Sequence, residues 1–150
     1  MTCSIHQPPS PTMRRRLARS VESGWLLRLH GSDCSHLTGA VVWLDRGMQR
    51  CLFEAPGTLH PERDVLLDEI CDVEVLSVAM VREGRLAARL AVVAPWRGGS
   101  DDDDVLIADL MSGQVAVGQT GIMLLLDGVR RYGTITEMHG QRCRVALLAA

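Results

Sequence analysis

The first periodic stretch of the chain indicates an amphipathic helix. Ser10 can cap its N-terminus, Pro11 suits the first helical position, and Gly24 is typical of a helix end. Apolar residues follow at a spacing of four, which places them on one face of a helix. These residues are Met13, Leu17 and Val21. The pattern therefore predicts a short helix between Ser10 and Gly24, with arginines on its other faces.

Beyond residue 24 the pattern changes to short apolar runs that are rich in β-forming residues and separated by glycine or charged turns. Residues 72–96 predict a hairpin with its turn at 82–84, and residues 121–148 predict three strands. Residues 60–71, which contain Pro61, predict a short second helix. We expect a mostly β fold, a barrel or sandwich of short antiparallel strands, with a basic N-terminal helix and one or two short helices.

The last third of the chain resembles the first. A weak internal repeat of a three-stranded meander is one interpretation, and chance recurrence of short β segments is the other. Two such meanders could close on each other as a barrel or a sandwich. The matching segments are 24–31 with 121–128, 39–45 with 133–139, and 47–55 with 140–149, the last placing Arg50-Cys51 opposite Arg142-Cys143.

Two of the predicted strands, 73–81 and 121–127, are apolar at consecutive positions instead of alternating. A sheet with one face in water should alternate apolar and polar residues, so these strands need cover on both faces. A helix of the same chain or another subunit could supply that cover. The pattern favours self-association or packing into a larger assembly.

Length and charge divide the chain into a basic segment and an acidic body. At 150 residues we expect one β-rich domain, 24–150, preceded by a basic arm and helix, 1–23. Residues 1–19 carry a charge of +4 and no acid, which leaves −6 for the rest because the whole chain carries −2. The net charge makes nucleic-acid binding unlikely except through this arm.

The basic charges of the arm form the most suggestive polar feature of the sequence. They can contact an anion, such as a nucleotide phosphate or an acidic protein surface, or they can form a solvated helix face. The chain has no lysine, so every basic side chain is an arginine. The predicted anion-binding residues are Arg14, Arg15, Arg16 and Arg19.

Cysteine usage and hydropathy indicate where the protein resides. Five cysteines are an odd number without paired spacing, which favours reduced thiols in an intracellular, cytoplasmic setting. The N-terminus has no apolar signal-peptide core, and no apolar run is long enough to span a membrane.

The stretch "HGSDCSH" is the densest group of chemically active residues. His30, Cys34 and His36 can each bind zinc, with Cys3 or His6 as a further ligand. Structural zinc sites usually have two paired ligand clusters, and only one cluster occurs here. A plain hairpin turn is the preferred interpretation, and we predict no metal and no cofactor.

The chain also carries a partial resemblance to a known family. Arg15 and Arg19 fit an R-x-x-x-R motif, and "GAVVWLDRGMQRCL" is similar to the strand and turn that follow it in PilZ domains, which are small β-barrels that bind cyclic di-GMP. Trp43 and Asp45 stand where that turn has Asp or Asn and then Ser, and Met48 replaces its glycine. The resemblance implies a degenerate PilZ-like barrel in which Arg15 and Arg19 could contact phosphate.

Three functions follow from these patterns. The leading one is a non-catalytic interaction or assembly module that binds a protein partner or a second copy of itself, with the arginine-rich segment as a contact element. The second is a PilZ-like cyclic di-GMP receptor. The third is a metal-dependent enzyme that uses His30, Cys34 and His36. No nucleophile elbow, phosphate-binding loop or metalloprotease helix occurs in the sequence, which favours a protein that is not an enzyme.

Overall fold

The computed structural model describes residues 9–55, 59, 61–93, 105–126 and 128–148. The chain forms two compact units, unit 1 (residues 1–75) and unit 2 (residues 76–150). The expected division into an arm, 1–23, and one domain, 24–150, stays a prediction. The fold class is confirmed: the chain is mostly β, with one α-helix and one 3-10 turn among the described residues.

The predicted N-terminal helix is present as α1 (Pro11–Ser23). The Ser10 hydroxyl accepts the N–H of Met13 at 3.2 Å, and Gly24 closes the helix in a left-handed conformation with φ 76°. Leu17 is fully buried, whereas Val21 is exposed, so Val21 was wrongly assigned to the buried face. The next buried position is Ser20, three residues after Leu17, a spacing that also lies on one side of a helix.

Ser20 shows how α1 is attached to the rest of unit 1. Its hydroxyl donates to the carbonyl of Trp25 at 2.8 Å and accepts the N–H of Val41 at 2.8 Å. Burial without these partners would carry a desolvation cost, so both hydrogen bonds are needed at this position.

Unit 1 places α1 on an antiparallel five-stranded sheet in the order β4-β3-β2-β1-β5. Its core contains Phe53 and Leu17, packed among aliphatic side chains from every strand except β4, with Val65 of β4 at the margin. Residues 61–71, predicted to be helical, instead form a strand and a 3-10 turn, because Arg63 and Val65 alternate inward against β3. The strands are β1 (Leu27–Gly31), β2 (His36–Leu44), β3 (Arg50–Glu54), β4 (Glu62–Leu66) and β5 (Ile70–Val75), with the 3-10 turn at Leu67–Glu69.

Unit 2 is a closed six-stranded barrel in the cyclic order β10-β11-β8-β7-β6-β9. The predicted hairpin is confirmed for β6 and β7, with a turn at Glu83 and Gly84, both at positive φ. Its first apolar run, however, is divided at Leu76 between β5 of unit 1 and β6 of unit 2. The strands are β6 (Ser77–Arg82), β7 (Arg85–Val92), β8 (Val105–Gly113), β9 (Thr120–Leu124), β10 (Arg130–His139) and β11 (Arg142–Leu147).

The barrel interior is filled by Met80, Met123 and aliphatic side chains from each strand. Gly133 makes room for them, because a Cβ at this position would lie 2.6 Å from Met123 Cγ and 2.8 Å from Val145 Cγ1. A six-stranded barrel has a narrow interior, so the large methionine side chains fit only because Gly133 has no side chain.

The meanders β1-β2-β3 and β9-β10-β11 have the same strand pairing. In both, the middle strand carries a bulge at the aligned position, Val42 in β2 and Thr136 in β10. Cys51 and Cys143 are equivalent, as the sequence alignment placed them, and both are buried. The first strands align differently: Leu27, not Gly24, is equivalent to Gly121, because each pairs with the first glycine of the next strand.

Candidate functional site

The stretch "HGSDCSH" forms the turn between β1 and β2. The Asp33 carboxylate accepts hydrogen bonds from the N–H and the hydroxyl of Ser35, and these bonds lower the pKa of Asp33 below its ordinary value. Cys34 occupies the turn at φ 69° and its side chain is exposed. The residues therefore build a tight hairpin connection.

The two histidines of this turn lie directly opposite each other, with ring centroids 6.3 Å apart. His30 Nε2 lies 3.1 Å from a carboxylate oxygen of Glu74 on β5. Among the residues that the structure describes, no three His, Cys, Asp or Glu side chains are placed to hold a metal ion together. The other proposed ligands, Cys3 and His6, lie outside those residues.

The four predicted anion-binding arginines of α1 have different surroundings. Arg16 donates from Nη1 to the carbonyl of Val73 on β5 at 2.6 Å, so it fastens the helix to the sheet. Arg19 lies over the ring of Trp25, with its guanidinium carbon 5.7 Å from the ring centroid. The remaining two, Arg14 and Arg15, are exposed on the helix surface.

The equivalent thiols Cys51 and Cys143 are structural. Burial raises the pKa of Cys51 to about 12, and it raises the pKa of Cys143 as well. Because the thiolate is the reactive form, neither thiol is suited to nucleophilic chemistry at neutral pH.

The outer face of the barrel carries an apolar row that runs across four strands and ends beside a fifth. Directly paired residues on antiparallel strands share one face, so this row is fixed by the register. Val81 pairs with Leu86 and with Ile122, and Ile122 pairs with Tyr132. Leu148, next to the end of β11, donates its N–H to the Tyr132 carbonyl at 2.7 Å. We call these five residues the barrel-wall row.

The barrel-wall row is open to solvent toward both ends and half-buried at its centre, where Val81 and Ile122 lie. Leu86 is 56% exposed, Tyr132 55% and Leu148 51%. A groove of about 370 Å³ lies along its centre, lined by Val81, Ile122 and Tyr132 together with the β6–β7 turn and the start of β9. Single exposed apolar residues are ordinary, but an unbroken apolar row that contains three exposed residues and a groove is typical of a contact surface.

The same positions of unit 1 are polar. Glu74, Arg28 and Thr38 are equivalent to Val81, Ile122 and Tyr132 by strand pairing. Arg28 Nη1 lies 3.9 Å from Glu74, and Arg28 Nε lies 3.5 Å from the Thr38 hydroxyl. The strand pairing is therefore compatible with a solvated polar row, and the apolar residues of unit 2 are not required by the backbone.

A second exposed apolar surface lies on unit 1. Trp43, 52% exposed, pairs directly with Leu52, and Leu66 is the diagonal neighbour of Leu52 on β4. With the exposed bulge residue Val42, these residues form what we call the β2–β3 patch. The positions equivalent to Trp43 and Leu52 in unit 2 are the oppositely charged pair Glu137 and Arg144.

Sequence reasoning found part of these surfaces. The consecutive apolar residues of 73–81 and 121–127 predicted strands that need cover on their outer face, and Val81 and Ile122 belong to those strands. Tyr132 lies between Arg131 and Gly133, and Leu86 lies between Arg85 and Ala87, so the local sequence does not mark either residue as part of a surface row. Only strand pairing places them beside Val81 and Ile122.

The chain has no similarity that assigns it a function. No helix within the described ranges is long and apolar enough to cross a membrane. Comparison with protein-family models, with curated proteins and with solved structures finds no match.

Proposed function

We propose that this chain is a non-catalytic interaction module that binds a protein through the barrel-wall row. The observation that carries the proposal is the contrast between Val81–Ile122–Tyr132 and the equivalent Glu74–Arg28–Thr38. One and the same strand pairing accepts either chemistry, and apolar residues in water cost free energy that a bound partner would recover.

Two further features support a binding role. Tyr132 offers a large apolar ring with a hydroxyl, a combination that is enriched at protein interfaces. The barrel is closed, so the backbone of its wall is hydrogen-bonded on both sides of each strand and does not have to become ordered on binding. The α1 arginines are a secondary contact element in this proposal, carried by exposed Arg14 and Arg15.

The test places a photo-crosslinking amino acid at position 132 of the full chain, expressed in its native cells. The matched control places it at position 38, the equivalent position of unit 1. We expect a discrete crosslinked protein from position 132 that is lost when Val81→Glu and Ile122→Arg are added, since these substitutions reproduce the polar row of unit 1. Equal crosslinking from positions 132 and 38, or none from position 132, would contradict the proposal.

A further inference from the structure

The barrel-wall row and the β2–β3 patch have opposite charges at their borders. Beside the β2–β3 patch, Glu54 of β3 pairs directly with Glu62 of β4, on the same outward face as Leu52. Beside the barrel-wall row, the next outward row across the barrel ends in exposed arginines on both sides, Arg89 and Arg130.

The acidic border of the β2–β3 patch is costly in the isolated chain. Like charges directly opposite each other on neighbouring strands are destabilising, so the Glu54–Glu62 pair weakens the edge of unit 1. Arg50 pairs with Asp64 in the same strands, with Nε 3.2 Å from Oδ1, so the charge of Arg50 is balanced there and not by the two glutamates. A cationic surface next to the patch would relieve their repulsion.

From this complementarity we propose that the partner of the barrel-wall row is the β2–β3 patch of a second copy of the chain. Trp43 and Leu52 of one copy pack on Ile122 and Tyr132 of the next, and Glu54 and Glu62 face Arg89 and Arg130. This inference rests on the proposed function and names its partner.

The proposed contact joins different surfaces of the two copies. Each copy keeps one β2–β3 patch and one barrel-wall row, so every copy can bind two others. Such a heterologous contact forms a ring if the rotation between copies closes and an open filament if it does not. Either form has a mass that is a multiple of the 16.4 kDa chain.

The chain supplies its own matched variants for a test. A wall variant carries Val81→Glu, Ile122→Arg and Tyr132→Thr, which copies the polar row of unit 1. A patch variant carries Trp43→Glu and Leu52→Arg, which copies the Glu137–Arg144 pair of unit 2. Each substitution in these two variants introduces the residue that the equivalent position of the other unit already carries. Circular dichroism checks that each variant is folded.

Light scattering on purified full-length protein is the measurement. We expect the wild-type protein to exceed the monomer mass, and each variant alone to be monomeric. An equimolar mixture of the two variants should form a 1:1 dimer and nothing larger, because one intact contact joins them and the remaining altered surfaces stop growth. Raising the salt concentration should weaken this dimer, because the border charges are exposed.

Other outcomes separate this inference from the proposed function. A mixture that stays monomeric would overturn the inference, as would a wall variant that assembles like the wild-type protein. If the mixture stays monomeric while position 132 still crosslinks to a different protein in cells, the proposed function survives and its partner is another protein. If the triple substitution unfolds the barrel, Tyr132→Thr alone is mixed with the patch variant, and the same dimer is expected.

Discussion

The β5-β1-β2 wall of unit 1 and the β6-β9-β10 wall of unit 2 pair their strands in the same way and present opposite chemistry. The first carries the polar row of Glu74, Arg28 and Thr38, and the second carries Val81 and its apolar neighbours. On the β2-β3 and β10-β11 walls the assignment is reversed: Trp43 of unit 1 is apolar and exposed, and its equivalent in unit 2 is charged.

The interiors of the two meanders differ much less. Leu29 and Met123 are both buried and apolar, as are Phe53 and Val145, and the buried thiols Cys51 and Cys143 occupy equivalent positions. Packing against a core restricts the size and polarity of side chains on the inner face. Side chains on the outer face are restricted only by contact with solvent or with a partner. The comparison therefore separates residues that build the fold from residues that are available for binding.

The largest expected effect concerns the two equivalent glycines. A Cβ at Gly39 would overlap the carbonyl oxygen of Glu54, whereas a Cβ at Gly133 would meet the flexible side chain of Met123 and the side chain of Val145. We expect Gly39→Ala to lower the free energy of unfolding by about 3 kcal/mol or more, and Gly133→Ala by about 1 kcal/mol. Urea unfolding followed by circular dichroism measures both, and equal losses would contradict the packing argument.

The next effect compares two equivalent arginines. Arg142 binds Asp109, which is 7% exposed, with Nε 2.9 Å from Oδ1, whereas Arg50 binds the exposed Asp64. Removing Arg142 leaves the buried Asp109 carboxylate without the guanidinium group that contacts it. We expect Arg142→Ala to lower the free energy of unfolding by about 2 kcal/mol. The exposed pair contributes less than about 1 kcal/mol, so Arg50→Ala should cost no more than that. Urea unfolding measures both variants. A larger loss of unfolding free energy in Arg50→Ala than in Arg142→Ala would contradict this prediction.

The smallest effect lies in the β1–β2 turn. The hydrogen bonds from Ser35 lower the pKa of Asp33, so they stabilise the turn at pH values above the unfolded pKa and lose that contribution as the pH falls through the folded one. We expect Ser35→Ala to raise the pKa of Asp33 toward its ordinary value, since the side-chain hydrogen bond is the largest cause of the shift. Carbon NMR of the Asp33 carboxyl group measures this change. Ser32→Ala in the same turn is the control, and an unchanged pKa in Ser35→Ala would refute the assignment.

Local signals predicted the helix and the strand content because they act over a few residues. Ser10 and Gly24 cap α1 through contacts with their own helix, and short β-rich runs separated by turns gave the antiparallel meander. The alignment of Cys51 with Cys143 was correct for the same reason, since both follow an arginine at the start of a strand.

Other features depend on contacts between residues far apart in the sequence. The run 73–81 looks like one strand, yet it is divided at Leu76 because β5 pairs with β1 and β6 pairs with β7 and β9. The stretch 61–71 begins with a proline, as helices often do, but residues 62–66 form β4 because they pair with β3.

The sequence by itself determined that the chain is mostly β and where its helix begins and ends. Periodicity and capping are local, so a sequence displays them directly. Only the tertiary structure decided which residues form the exposed rows, because Leu86, Ile122 and Tyr132 become neighbours through strand register alone. Register sets both which side chains face water and which stand side by side, and those two properties define a binding surface.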